Sequence, residues 1–266
     1  CDFDHLEYVV LPNGTNPNTA TSVSFSTTTN PKKVSSVWIP SSSTSGVYKF
    51  WYRAVDGFGN EANWINDANF EILYDNVAPV AGTTSANYSP AAQWFNDASL
   101  PSLEWSGWSD AHATIKHFNL SYDGSSPHAS YLSNTTSSWT ATSSNGLTCG
   151  LHYFKLKAFD HASPVSNTRL VSVSFNFDNC APNAAEISLP DSNWYTTNTP
   201  SVAFSPASES TSVQSGIASC VLYINNQSQG VLPSNVCTSQ TGSATINLLD
   251  GSYIGYIMSC DVAGNC

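Results

Sequence analysis

The stretch Ala54-Val55-Asp56-Gly57-Phe58-Gly59-Asn60 decides the fold, because it returns twice at domain spacing. Its copies are Ala158-Phe159-Asp160-His161 and Ser259-Cys260-Asp261-Val262-Ala263-Gly264-Asn265. Each follows a segment in which apolar and polar residues alternate, the pattern of a half-buried strand. The aspartates stand at 56, 160 and 261, at intervals of 104 and 101 residues, the length of one small β-sandwich. A second phrase keeps the same beat. Tyr74-Asp75-Asn76-Val77-Ala78-Pro79 returns as Phe177-Asp178-Asn179-Cys180-Ala181-Pro182, with Asp75 and Asp178 103 residues apart. The chain therefore reads as tandem all-β modules over residues 1–79, 80–182 and 183–266.

Composition agrees with that reading and narrows the partners. Only 10% of the 266 residues are charged and 12% are aromatic, with Ser, Thr and Asn abundant, a mixture that favours strands with polar outer faces over surface helices. A formal charge of −11 with eight Lys and Arg supplies no basic footprint for nucleic acid or anionic lipid. No apolar run approaches membrane-spanning length. Seven cysteines, several where strands and turns should meet, suit an oxidising, extracellular or cell-surface compartment.

In the middle segment Ser102–Trp105 reads as strand B, His117–Tyr122 as C, Ser138–Ala141 as E, His152–Ala158 as F and Leu170–Phe177 as G. Trp105 is expected in the core. In the first segment Tyr48, Phe50, Tyr52 and Ala54 share one strand face, expected to point inward, and Lys49, Trp51 and Arg53 share the other. The first recognisable strand, His5–Val10, aligns with strand C of the later modules, so the first module is expected to lack strands A and B. The last stops after its Asp-Val-Ala-Gly-Asn turn and is expected to lack strand G. Such a chain is either an excerpt of a longer repetitive protein or a set of modules completed by strand addition from neighbouring subunits, as in a fibre.

These turn and exit phrases resemble the immunoglobulin-like, fibronectin type III-like tandem repeats of bacterial and archaeal surface proteins. The third segment is nearest, with Gly216–Asn225 leading into strand C and Asp250-Gly251-Ser252-Tyr253 into strand F. The second departs from the pattern, having His161-Ala162-Ser163-Pro164 in place of the Ala-Gly-Asn turn. The resemblance implies a structural or adhesive extracellular protein forming a filament, stalk or surface layer. It also implies a disulfide between Cys220 and Cys260, and calcium at the repeated aspartates Asp56, Asp75, Asp160, Asp178 and Asp261. The residues themselves equally allow each aspartate to accept backbone N–H bonds within its own turn.

Cys149, before strand F, and Cys180, after strand G, fall at one pole of the sandwich and are expected to pair. Cys1, Cys237 and Cys266 are then left for links between chains, with a local Cys260–Cys266 clasp as the alternative. The triplets beginning at Asn13, Asn87, Asn119, Asn134 and Asn226 are candidate N-glycosylation sites. No catalytic constellation stands out: the six histidines lack metal-ligand spacing, and nucleophile elbows, phosphate loops and dinucleotide fingerprints are missing from the sequence. A non-enzymatic scaffold needing no cofactor is the expectation. A second reading is a set of glycan-binding accessory modules with Trp38, Trp51, Trp64 or Trp108 as exposed platforms.

Overall fold

The computed structural model describes residues 2–21, 23–25, 44–86, 94–123, 129–142, 146–188, 197–199, 201–209, 214–232, 237–238, 242–245 and 247–266. Cys1, Trp38 and Asn87 lie outside the described residues. Among the described residues each sheet draws its strands from one of three stretches, 3–74, 83–177 or 187–261.

In the middle stretch, β5 (Thr83–Ala86), β6 (Ser102–Ser106) and β9 (Ser138–Thr140) make a sheet in the order β5-β6-β9. β7 (Ile115–Tyr122), β8 (Ala129–Ser133), β10 (Gly150–Asp160) and β11 (Thr168–Phe177) make another in the order β11-β10-β7-β8. This is the A-B-E and G-F-C-C′ arrangement of an immunoglobulin-like, fibronectin type III-like sandwich, with strands B, C, E, F and G where the sequence places them. Period-two alternation is the cause. Along β10 the residues His152, Phe154, Leu156, Ala158 and Asp160 are buried while Leu151 and Tyr153 face solvent.

By packing density the chain divides into two compact units, residues 1–81, 108–118 and 157–169 in one, and 82–107, 119–156 and 170–266 in the other. The division cuts through the middle sandwich, because residues at one end of β7 and β10 pack with the first 81 residues.

The first unit is built on β1 (Phe3–Pro12), β2 (Val23–Phe25), β3 (Gly46–Asp56) and β4 (Ile65–Tyr74), in the order β2-β1-β3-β4. Pairing of Tyr8 with Tyr52 and Val10 with Phe50 sets the register. Tyr8, Val10 and Tyr48 form the buried cluster, with Phe50, Ile72 and Tyr74 packed against it. The inward set expected along β3 holds only near its start, for Tyr52 is 36% exposed. The opposite face is partly covered too, because Lys49 pairs with Glu71 at 2.8 Å and Arg53 reaches Glu7 and lies 4.5 Å over the Trp64 ring.

In the second unit Leu103, Trp105, Leu120, Tyr122, Phe154, Leu156, Phe175 and Phe177 are all less than 7% exposed, and the rings of Tyr122, Phe154 and Phe175 pack on one another at centroid distances from 4.2 to 6.4 Å. Tyr122 and Trp139 join the two sheets with ring centroids 6.3 Å apart. Phe95 closes the core beside Phe175 at 5.8 Å. Each buried aromatic or leucine stabilises by roughly 1.5–3 kcal/mol.

The last strands repeat the plan. β12 (Ile187–Ser188), β13 (Ser201–Phe204) and β16 (Gly242–Thr245) order as β12-β13-β16, and β14 (Ile217–Ile224), β15 (Gln227–Leu232) and β17 (Gly255–Asp261) as β15-β14-β17. Their core contains Phe204, Cys220, Leu222, Ile224, Cys237 and Ile257. Asn225 and Asn226, with φ of 49° and 64°, form the tight turn between β14 and β15.

Among the described residues three disulfides lie within the chain: Cys149–Cys180, Cys220–Cys237 and Cys260–Cys266, with Cα separations of 6.1, 5.8 and 4.1 Å. The Cys220–Cys260 pairing is therefore corrected. Cys220 lies opposite Ser259, and Cys260 opposite Ser219, so the two cysteines point to opposite faces of the sheet. Cys220 is inside with Leu222 and Ile224, where Cys237 meets it, fully buried. Cys237 and Cys266 are likewise corrected as links between chains, since both are bonded locally.

Candidate functional site

The repeated aspartates close their turns in one way. Asp56 Oδ1 accepts from the backbone N–H groups of Phe58 and Asn60, both at 2.9 Å, and its Oδ2 accepts from Asn60 Nδ2 at 2.9 Å. Asp261 does the same with Asn265, at 2.8 Å to the backbone and 2.8 Å to the side chain. The Asn60 carboxamide, followed by the Asn60 backbone N–H, holds the Asp56 carboxyl below its ordinary value.

Asp160 lacks the Ala-Gly-Asn turn in sequence but has the same clasp. Asn167, seven residues on, donates its backbone N–H to Oδ1 at 2.9 Å and its Nδ2 to Oδ2 at 2.8 Å. The departure noted in the second segment is thus a longer loop with the same closing residue. Sequence reading missed Asn167 because it sought the asparagine at fixed spacing; the signal was an Asn directly before strand β11.

Two of these asparagines also reach the exit phrase of the preceding segment. Asn167 Nδ2 donates to the Asp75 carbonyl oxygen at 3.2 Å, and Asn265 Nδ2 donates to the Asp178 carbonyl oxygen at 2.9 Å. The exit aspartates are anchored in turn. Asp75 Oδ1 accepts from Val77 N–H at 2.9 Å and from the Ser45 hydroxyl at 3.1 Å. Asp178 accepts from Cys180 N–H at 3.1 Å and Ser215 N–H at 2.8 Å. Asn96 Nδ2 adds a bond to the Ala263 carbonyl.

A third acidic residue joins each pair. Val80, five residues after Asp75, bridges to Ser109, and Asn183, five after Asp178, bridges to Ser208. The residues that follow are Asp110 and Glu209, so the two junctions carry Asp75, Asp110 and Asp160, and Asp178, Glu209 and Asp261. In the first, one carboxylate oxygen from each of the three lies within 4.8 Å of the others. Asp110 Oδ1 accepts from His112 and Ala113 N–H at 2.9 and 2.8 Å, while its Oδ2 and that of Asp75 are sealed from solvent without a hydrogen-bond partner. In the second, both Glu209 oxygens are sealed and unpartnered. Burial first, then the charges of Asp261 and Asp178, push the Glu209 carboxyl above its ordinary value. Among the described residues none of these six makes an ion pair with Lys, Arg or His. Asp110 and Glu209 were not read as site residues in sequence, although each stands four residues after one of two matching phrases, Leu103-Glu104-Trp105-Ser106 and Val202-Ala203-Phe204-Ser205.

The remaining expectations fall elsewhere. Asp56 belongs to no group of three clustered His, Cys, Asp or Glu side chains among the described residues. Cys149 and Cys180 lie near Asp178, but their sulfurs are joined to each other. Asn13, Asn134 and Asn226 are exposed, whereas Asn119 is half-buried and its Oδ1 accepts from Tyr131 N–H at 2.9 Å. Trp51, Trp64 and Trp108 are half-buried, not the exposed platforms expected of them. Trp51 and Trp64 line a cavity of about 390 Å³ with Asn16, Asn18, Arg53 and Asn63. Trp108 packs edge-on against Phe118 at 5.6 Å.

No protein-family model and no curated protein matches the chain. Among solved structures it is similar to a tetra-tandem repeat in the extending region of a large adhesion protein, at 15% identity and a TM-score of 0.36. That match covers 100% of this chain and 65% of the length of the other. It is also similar to fibronectin(III)-like modules of Clostridium thermocellum CbhA, at 13% identity over 66% of this chain and 80% of that one, with a TM-score of 0.30. Chicken CNTN1 FN1–FN3 domains align at 10% identity over 98% of this chain and 85% of theirs, with a TM-score of 0.29. The class of the fold rests on the strand order described above.

Proposed function

We propose that the chain is a non-enzymatic extracellular scaffold, in which tandem sandwiches over 1–79, 80–182 and 183–266 set spacing within a filament, stalk or surface layer. One observation carries the reading: the same asparagine clasp is built twice, at Asn167 and Asn265, and each time also reaches the carbonyl of the preceding exit aspartate. A catalyst has no need to repeat a junction, whereas a spacer gains a fixed angle between neighbours from it. Three intrachain disulfides support an oxidising compartment. Electron microscopy of native material tests the proposal. Filaments or an ordered surface array are expected, and a dispersed monomer in that material contradicts it.

A second reading is favoured by the cavity beside Trp51 and Trp64, where three asparagines and the ion-paired Arg53 and Glu61 offer polar groups that suit a hydroxyl-rich ligand such as a glycan. Binding on a glycan array that disappears in Trp64→Ala is the expected sign, and an array without signal removes it.

A further inference from the structure

We propose that the outer face of the middle sandwich around Lys116, His117, Lys157 and Phe159 docks an acidic surface of a second copy of this chain. The inference rests on the scaffold reading and supplies a contact between copies for it. Of the eight Lys and Arg, Lys49 and Arg53 are neutralised by Glu71, Glu7 and Glu61, and Lys32 and Lys33 lie outside the described residues. The other four are Lys116 of β7, Lys155 and Lys157 of β10, and Arg169 of β11, three neighbouring strands of one sheet. None of the four makes an ion pair among the described residues, although the chain carries 19 Asp and Glu.

Strand alternation turns His117 and Phe159 away from the core, because Phe118 of β7 and Ala158 and Asp160 of β10 point into it. On that outer face the His117 ring stacks on Phe159, with centroids 4.5 Å apart and 12° between the planes, and Lys157 Nζ lies 5.0 Å from the Phe159 centroid. The ring thus holds the ammonium against the sheet without a carboxylate, and the charge is positioned before a partner arrives. Lys116 and His161 are exposed. Burial first, then the charges of Lys116 and His161, push the His117 ring below its ordinary value, so positive charge is gathered at this place. Cations without ion pairs, on a chain of net charge −11, are complementary to the rest of the same molecule. Asp2, Glu186 and Asp250 are exposed and likewise make no ion pair among the described residues, so a second copy brings the missing carboxylates.

Sedimentation velocity of the whole chain in low salt, at concentrations from about 1 to 500 μM, where weak contacts between proteins form, tests this. A sedimentation coefficient that rises with concentration is expected, and it should fall back as sodium chloride is raised to about 0.5 M and screens the attraction. Lys116→Gln with Lys157→Gln should weaken the association at least about 10-fold while keeping the parent's Tm. Gln227→Glu with Gln229→Glu makes the chain more negative by the same two charges on another strand, and should change the association by less than about 3-fold. Should the lysine pair fail to fold, Lys116→Glu alone is read in the same way, since Lys116 is exposed. A monomer at every concentration overturns the docking face, as does an association that strengthens with salt or one that both paired variants weaken equally. Retention on immobilised heparin that the lysine variant loses, by a chain that stays monomeric, would give the face to a polyanion and overturn the second copy. Filaments that persist when the lysine variant replaces the parent would remove this contact and leave the scaffold reading standing; association through the lysines without filaments would do the reverse.

Discussion

Asn265 Nδ2 stands 2.9 Å from the Asp178 carbonyl oxygen while also donating to Asp261 at 2.8 Å, so one carboxamide closes a turn and ties it to the exit phrase of the preceding repeat. Asn167 does the same for Asp160 and Asp75. The two bonds share a cause: the clasp aims the amide nitrogen outward from the turn, where the exit carbonyl lies.

Replacing Asn265 by Ala removes both side-chain bonds and leaves Asp261 Oδ2 and the Asp178 carbonyl short of a donor. A loss of about 1–3 kcal/mol is expected in urea denaturation, with Asn167→Ala similar. A change below about 0.5 kcal/mol, the size of an ordinary surface substitution, would show that the clasps are ornamental.

Non-reducing peptide mapping should recover Cys149–Cys180, Cys220–Cys237 and Cys260–Cys266. Opening the buried Cys220–Cys237 bond with paired Ala substitutions should cost roughly 3 kcal/mol for a loop of this length. Recovery of a Cys220–Cys260 peptide would contradict the register of β14 and β17.

Glu209 gives a pH dependence of known sign. Its folded value is raised above the ordinary 4.5 by burial first and then by the charges of Asp261 and Asp178. The folded chain therefore holds this proton more tightly than the unfolded one, and stability from it is complete below about 4.5 and is lost as pH rises through the raised value. Glu209→Gln should be the more stable form at pH 7 and should flatten that decline. A parallel pair of pH–stability curves would argue against it.

Phe154→Ala empties the centre of the middle core, where Phe154 and Phe175 rings lie 4.2 Å apart and Phe154 is fully buried. A loss of about 3–5 kcal/mol is expected by chemical denaturation. Leu151→Ala, on the exposed face of the same strand, should change little.

Much of the architecture was legible because alternation and turn phrases are local signals. The period-two pattern of His152–Ala158 places strand F, and Asp56, Asp160 and Asp261 each stand at the end of a strand, β3, β10 and β17. The Cys220–Cys260 error was avoidable from the same alignment. Asp160 points inward with Leu156 and Ala158, so the equivalent Asp261 puts Cys260 on the outer face. Asn167 was hidden by a longer loop, and Asp110 and Glu209 by lying far in sequence from the aspartates they join. The half-burial of Trp64 was also hidden, since Arg53, ion-paired with Glu7 and Glu61, lies over its ring.

The most direct test of the scaffold account compares small-angle scattering of the parent chain with that of a variant carrying Asn167→Ala and Asn265→Ala, both checked as folded by circular dichroism. A single well-defined maximum dimension in the parent, broadening in the variant, is the predicted result. Indistinguishable curves would contradict the claim that these clasps fix one repeat against the next.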